Sequence, residues 1–258
     1  GTMTGEWLAH CQACCVPEIA SVFKRAGIDY HLVTGYLGEP ATETAIAEWI
    51  SAARVARVMR ANRLGVLGHY YAGMLDVYTD MTRQIAHFGG HIDLIEIDEL
   101  AELRGGVSTT EVDQKLSEFR HKFEVSRECE TEELERAART SVALDKLVSS
   151  HRLGSLAYYY EGTSGSTHED IVTSVIAGNT LLTGNNVPVA GECEIKNAQA
   201  MKIMDSFGAG GSFSEFYAMD FNEGVLLLGH DGPAHPVIAE GPVGLVPLPV
   251  YHGKPGKG

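Results

Sequence analysis

The strongest constraint on the fold is an alternation of short apolar runs with longer helical segments between residues 62 and 190. Residues 64–68 form a short apolar run of the buried-strand type, and residues 91–97 and 154–160 are two further predicted strands. Strands that alternate with helices favour right-handed βαβ crossovers and a mainly parallel sheet. We therefore predict an α/β fold.

Helix signals lie between and beside these strands. Helices are predicted over residues 41–62, 78–88 and 131–150. Ser108 and Glu111 form a capping-box pattern, so another helix should begin there. A further helix over residues 168–177 is expected to end at Gly178, because glycine is common just after a helix.

The composition of the chain changes after Ser212, where Gly, Pro and short apolar runs favour β structure. We expect Rossmann-like parallel sheet layers with a smaller β-rich C-terminal part. Residues 1–61 would be the end of an N-terminal α/β domain with a linking helix, and residues 62–205 a central Rossmann-like α/β domain. Residues 206–258 would begin a β-rich C-terminal domain.

Charge and composition exclude several classes of partner. A net charge of -14 over 258 residues argues against nucleic-acid binding, which needs basic surface. No apolar run approaches the roughly 20 residues that span a bilayer, and no secretion signal is visible, so we expect a cytoplasmic protein without a membrane partner. Five cysteines without a regular framework favour reduced thiols over disulfides.

Three side chains follow or interrupt apolar runs in a way that suggests a metal site. Glu192 follows a strand-like segment at the head of an expected helix, where α/β sheets bind ligands. Glu215 lies among aromatic residues, and His230 directly follows the apolar run 225–229. Two carboxylates and an imidazole suit a divalent ion such as Mn²⁺.

Each of these residues also has an ordinary interpretation. Glu192 could interact with a helix dipole, Glu215 could be a surface acid on a strand, and His230 could be a turn residue bonded to backbone. The cysteines of segment 10–15 fit buried thiols better than zinc, because no second ligand pair follows. Residues 158–160 could line a sugar cleft or be core tyrosines. Spacing alone leaves these alternatives open.

Several segments, taken in order, resemble those of a known family. Gly191-Glu192-Cys-Glu194, Gly211-Ser-Phe-Ser-Glu215-Phe-Tyr and Leu228-Gly-His230 resemble the metal-ligand segments of L-arabinose isomerases. Leu8-Ala-His10-Cys-Gln12 resembles the family's His-x-Gln segment, and Gly35-Tyr-Leu-Gly38 its following glycine turn. The chain is thus similar to the L-arabinose/L-fucose isomerase family along nearly its whole length.

The resemblance implies a metal-dependent aldose-ketose isomerase that moves a proton between C1 and C2 of a sugar through an ene-diol. Glu192 and Glu215 would be metal ligands and the acid-base pair, and His230 a third ligand. His10 and Gln12 would contact substrate in a neighbouring subunit's site, which implies a homo-oligomer. The cofactor would be Mn²⁺ or another divalent ion such as Co²⁺ or Mg²⁺. The family's late histidine ligand has no counterpart, because His252 lies too early.

Two other functions remain as alternatives. A non-catalytic sugar-binding paralogue or sensor would share the fold, but the presence of both Glu192 and Glu215 favours an enzyme, because a binder needs no convergent carboxylates. A nucleotide-dependent oxidoreductase is disfavoured, because residues 65–73 are rich in glycine but lack the G-x-G-x-x-G spacing. The identity of the aldose stays open.

Overall fold

The computed structural model describes residues 4–5, 15–248, 250–251 and 254–255. The chain divides into two compact units, residues 1–53 and 54–258. The division into domains predicted from the sequence stays a prediction. The first unit contains helix α1 (Val16–Ala26) and most of helix α2 (Pro40–Ala61). Helix α1 ends at Gly27, whose φ of 68° is accessible to glycine at little cost.

The second unit alternates strands and helices as far as residue 206. In chain order it contains β1 (Arg63–Gly68), α3 (Met81–Phe88), β2 (His91–Ile95), α4 (Ile97–Gly105), α5 (Thr109–Lys122), β3 (Glu124–Val125), α6 (Thr131–His151), β4 (Ser155–Tyr159), α7 (Thr167–Val172), α8 (Ile176–Gly184), β5 (Val189–Ala190) and α9 (Ile195–Ser206). The C-terminal part contains β6 (Glu215–Asp220), β7 (Val225–Gly229), β8 (Gly244–Leu245), β9 (Val250–Tyr251) and β10 (Lys254–Pro255).

The main sheet has four parallel strands in the order β2-β1-β4-β5. The predicted α/β fold with a parallel sheet is therefore confirmed. The described residues also form smaller sheets: β6 pairs antiparallel with β7, β3 pairs parallel with β8, and β9 pairs antiparallel with β10. No helix in the described part of the chain is long and apolar enough to cross a bilayer.

Side chains from alternate strand positions build a core on each face of the main sheet. On one face Leu67, Leu156 and Tyr158 pack with buried residues of α4, α5 and α6. On the other face Ala157 and Tyr159 pack with buried residues of α9. Burial on both faces explains why β1 and β4 are apolar runs rather than alternating patterns.

Most helix predictions agree with the structure within three residues, and the capping box of Ser108 and Glu111 is present at the start of α5. The predicted helix 168–177 is wrong, because two helices, α7 and α8, occupy this region. Gly178 lies inside α8, where a side chain would come within 3.0 Å of Ser141 on α6. This glycine therefore permits close packing of two helices and does not end one.

Candidate metal centre

The candidate site lies at the carboxyl ends of the parallel strands. The chain leaves β1 towards β2 on one side, while β4 and β5 lie on the other side, which places a topological switch point beside β1 and β4. The backbone of the segment after β5 makes hydrogen bonds to β4 and to the segment after β1. Tyr71 N donates to Glu192 O at 3.3 Å, and Cys193 N donates to Tyr158 O at 2.9 Å.

Glu192 sits in a tight turn of unusual backbone geometry. Glu192 and Cys193 have φ values of 57° and 59°, and Glu194 N donates to Gly191 O at 2.9 Å. This is the pattern of a type I′ turn, which usually contains glycine or asparagine. A left-handed conformation costs a non-glycine residue about 1–2 kcal/mol. Its two hydrogen bonds to neighbouring segments and the burial of Cys193 hold the turn in place.

The helix after this turn begins later than the sequence indicated. Helix α9 starts at Ile195, and its N-cap is Glu194, whose side chain accepts a hydrogen bond from Lys196 N at 2.9 Å. Glu194 therefore occupies the place at the head of the helix that the sequence suggested for Glu192, and it acts as the N-cap. The carboxylate of Glu192 does not have this role.

The β6–β7 hairpin places Glu215 beside His230. Glu215 opens β6 and pairs with Gly229, the last residue of β7, so His230 follows directly at the same end of the hairpin. Glu192, Glu215 and His230 each present one ligand atom, and these three atoms lie within 4.8 Å of one another. His230 Nε2 is 3.6 Å from Glu192 Oε1, and both side chains are 15% exposed.

The imidazole of His230 is oriented by two contacts. Its Nδ1 lies 2.6 Å from the carbonyl oxygen of Asp231, which can only accept, so Nδ1 carries the proton and donates. In the neutral ring this leaves the lone pair on Nε2, the atom that faces Glu192. The ring of Phe213 lies 4.4 Å from the imidazole, centroid to centroid. This is the arrangement of a metal-binding histidine, whose second nitrogen donates to a carbonyl.

The electrostatics of Glu192 also fit a cation. Burial raises the pKa of its carboxyl, the charge of Glu215 raises it further, and His230 opposes the shift. Glu192 Oε2 is buried and has no hydrogen-bond partner among the described residues. A divalent ion would satisfy this oxygen and offset the repulsion between the two carboxylates, so the three residues fit such a group.

Aromatic residues surround this end of the sheet. Tyr158, Tyr159 and Tyr160 are all buried, which agrees with the core interpretation. The hydroxyl of Tyr159 donates to Glu161 Oε1 at 2.6 Å, and its ring packs 4.4 Å from that of Tyr71. Burial, and next Glu161, raise its pKa.

Sequence reasoning did not single out Tyr71 or Phe213. No local pattern marks either one, although Phe213 stands two residues before Glu215. His10, Gln12 and His252 lie outside the described residues. Their predicted roles, and those of Glu192, Glu215 and His230, stay predictions.

Comparison with known proteins gives one partial similarity. No family model matches this chain. The chain is 25% identical over 111 residues to the L-arabinose isomerase of Mycolicibacterium smegmatis. The match covers 43% of this chain and 22% of that protein, so the chain matches only about a fifth of its curated relative's length. This similarity supports a distant relationship to L-arabinose isomerases.

Proposed function

We propose that the chain is part of a metal-dependent aldose-ketose isomerase of the L-arabinose/L-fucose isomerase type. The observation that carries the proposal is the convergence of Glu192, Glu215 and His230 at the carboxyl edge of a parallel sheet. The distant similarity to an L-arabinose isomerase supports the choice of reaction. The substrate would be a small aldose.

Glu192, Glu215 and His230 would hold the divalent ion, which we expect to be Mn²⁺. When bound, such an ion supplies Lewis-acid polarisation of a carbonyl oxygen. Two oxygen ligands and one nitrogen ligand leave coordination positions for sugar oxygens, because ions of this class favour about six ligands. Co²⁺ and Mg²⁺ are the alternatives.

The two carboxylates would move the protons of the reaction. In an aldose-to-ketose conversion one proton passes from C2 to C1, and one hydroxyl proton passes from O2 to O1. One carboxylate takes the proton from C2 and returns it to C1 of the ene-diol, while the other transfers the hydroxyl proton. The short distance between the ligand atoms allows both carboxylates to reach the same pair of carbons.

The remaining parts of the proposal concern neighbouring subunits. His10 and Gln12 would contact the sugar from an adjacent protomer, so the enzyme would be a homo-oligomer with shared sites. Both residues lie outside the described part of the chain, and this element rests on the resemblance of their segment alone.

The test is turnover of a panel of aldopentoses and aldohexoses by the complete polypeptide with Mn²⁺ in D₂O. We expect ketose product with deuterium at C1, because a base that exchanges with solvent carries the proton. Glu192→Gln and Glu215→Gln should each lower kcat by about 10²–10⁴-fold. Glu194→Gln, which changes the adjacent helix cap, is the matched control. Sugar binding without turnover would reject the isomerase in favour of a sugar-binding paralogue.

A further inference from the structure

The hairpin that presents His230 is weakly supported within the described part of the chain. The side chains of residues 225–228 on β7 are more than half exposed. A two-stranded hairpin alone is at best marginally stable. The position of the His230 ring therefore depends on contacts outside the hairpin.

Phe213 provides such a contact from a rigid position. It is 4% exposed and belongs to the core on the α9 face of the sheet. Its ring lies against Gly191, where an added methyl carbon would be 3.4 Å from a ring carbon. The same ring contacts the imidazole of His230, at 4.4 Å between centroids and an interplanar angle of 55°. Phe213 thus contacts both the residue before Glu192 and the histidine.

A hydrogen bond next to Phe213 joins its segment to the chain that follows His230. The hydroxyl of Ser212 accepts from the backbone N–H of His235 at 2.8 Å. His235 is 2% exposed, so the chain that follows His230 returns to the core within five residues. The segment around Phe213 therefore links the Glu192 turn to both ends of the loop that begins at His230.

From this packing we infer that Phe213 is a positioning residue, which holds the His230 imidazole against Glu192 and so sets the affinity of the centre for a divalent ion. The inference deepens the proposed function and rests on its metal centre. The Phe213 ring is required because, among the described residues, Nδ1 of His230 bonds only to its own neighbour, Asp231, and that bond moves with the loop. Without the ring, the imidazole can rotate away from Glu192.

The experiment measures the dissociation constant of Mn²⁺ by electron paramagnetic resonance of the free ion. Phe213→Leu is compared with wild type and with Phe119→Leu, which makes the same change at a fully buried phenylalanine in the core of the other face. We expect Phe213→Leu to weaken Mn²⁺ binding about 10-fold or more, as the loss of ligand-orienting contacts does. Phe119→Leu should stay within about twofold of wild type, because distant sites act independently.

Circular dichroism establishes that each variant is folded at the temperature used. If Phe213→Leu does not fold, Phe213→Met keeps the volume without the flat ring, and the same weakening is expected. Wild-type affinity in the Phe213 variant, equal weakening by Phe119→Leu, or absence of Mn²⁺ binding by wild type would each overturn the inference. A wild type that binds Mn²⁺ and turns over no sugar rejects the isomerase and leaves the role of Phe213 intact.

Discussion

Replacement of Glu192 by glutamine should separate the stability of the metal-free fold from the stability gained on metal binding. In the metal-free protein the buried Oε2 has no partner among the described residues, and Glu215 adds like-charge repulsion. An unsatisfied buried polar atom costs about 1–3 kcal/mol. Because the amide of Gln can donate towards Glu215, we expect Glu192→Gln to raise the free energy of unfolding of the metal-free protein by about 1 kcal/mol.

Metal should reverse the order of the two proteins. At an ion concentration of about 100 times Kd, wild type gains roughly 2.7 kcal/mol. For a protein of this size, that corresponds to an increase in Tm of about 5–10 °C. The glutamine variant lacks one of the three proposed ligands, a carboxylate. Its Tm should therefore hardly change at the same ion concentration.

The assay is thermal unfolding followed by circular dichroism, first with a chelator and then with Mn²⁺. Glu194→Gln is the control, because it neutralises a neighbouring carboxylate that caps α9 and should keep the full Mn²⁺-dependent increase in Tm. An equal increase in Tm for Glu192→Gln and wild type would refute the assignment of Glu192 as a ligand. A large loss of stability of metal-free Glu192→Gln would refute the argument from its unpaired oxygen.

Three further predictions concern the stability of the α/β fold. Arg152→Gly should raise the free energy of unfolding by about 0.5–1 kcal/mol in urea titrations, because the exposed helix cap has a φ of 54°; a decrease would contradict this. Gly68→Ala should lower it by about 2–4 kcal/mol, since a Cβ would lie 2.2 Å from the carbonyl oxygen of Tyr159, and wild-type stability would argue against that contact. The pKa of Glu111 is lowered to about 2, chiefly by Lys146. The stability that the ionised carboxylate of Glu111 gives the fold should therefore be complete above about pH 5 and lost as the pH falls towards 2. In acid titrations the free energies of unfolding of wild type and Glu111→Gln should therefore converge. A difference that stays constant with pH would show that the ion pair with Lys146 is not the source of the difference.

Much of the fold could be predicted from local patterns, because apolar runs and helix caps act over a few residues. The α5 capping box and strands β1, β2 and β4 are examples. Gly178 does not end a helix as predicted, because it packs against Ser141, a residue distant in sequence, and a contact between helices leaves no local signal. Without knowledge of this packing, the glycine at position 178 is expected to end a helix.

In the candidate centre, too, some features could be predicted from the sequence and others depend on contacts between distant segments. Spacing alone leaves the roles of Glu192, Glu215 and His230 open, and the resemblance to L-arabinose isomerases implies that they share a metal site. The structure places their ligand atoms within 4.8 Å of one another. The left-handed turn at Glu192 and Cys193 could not be predicted, because neither residue favours that conformation. The turn is imposed by hydrogen bonds to segments that lie far away in sequence.

The pairing of β6 with β7 sets the distance between a carboxylate and an imidazole. Because successive strand residues point to opposite faces, a slip of one residue would turn Glu215 away from His230 while the hairpin kept its length. The turn at residues 221–224 thus acts as a spacer for a centre at the far end of both strands. Insertion of a single residue there would change the ligand geometry without touching a ligand.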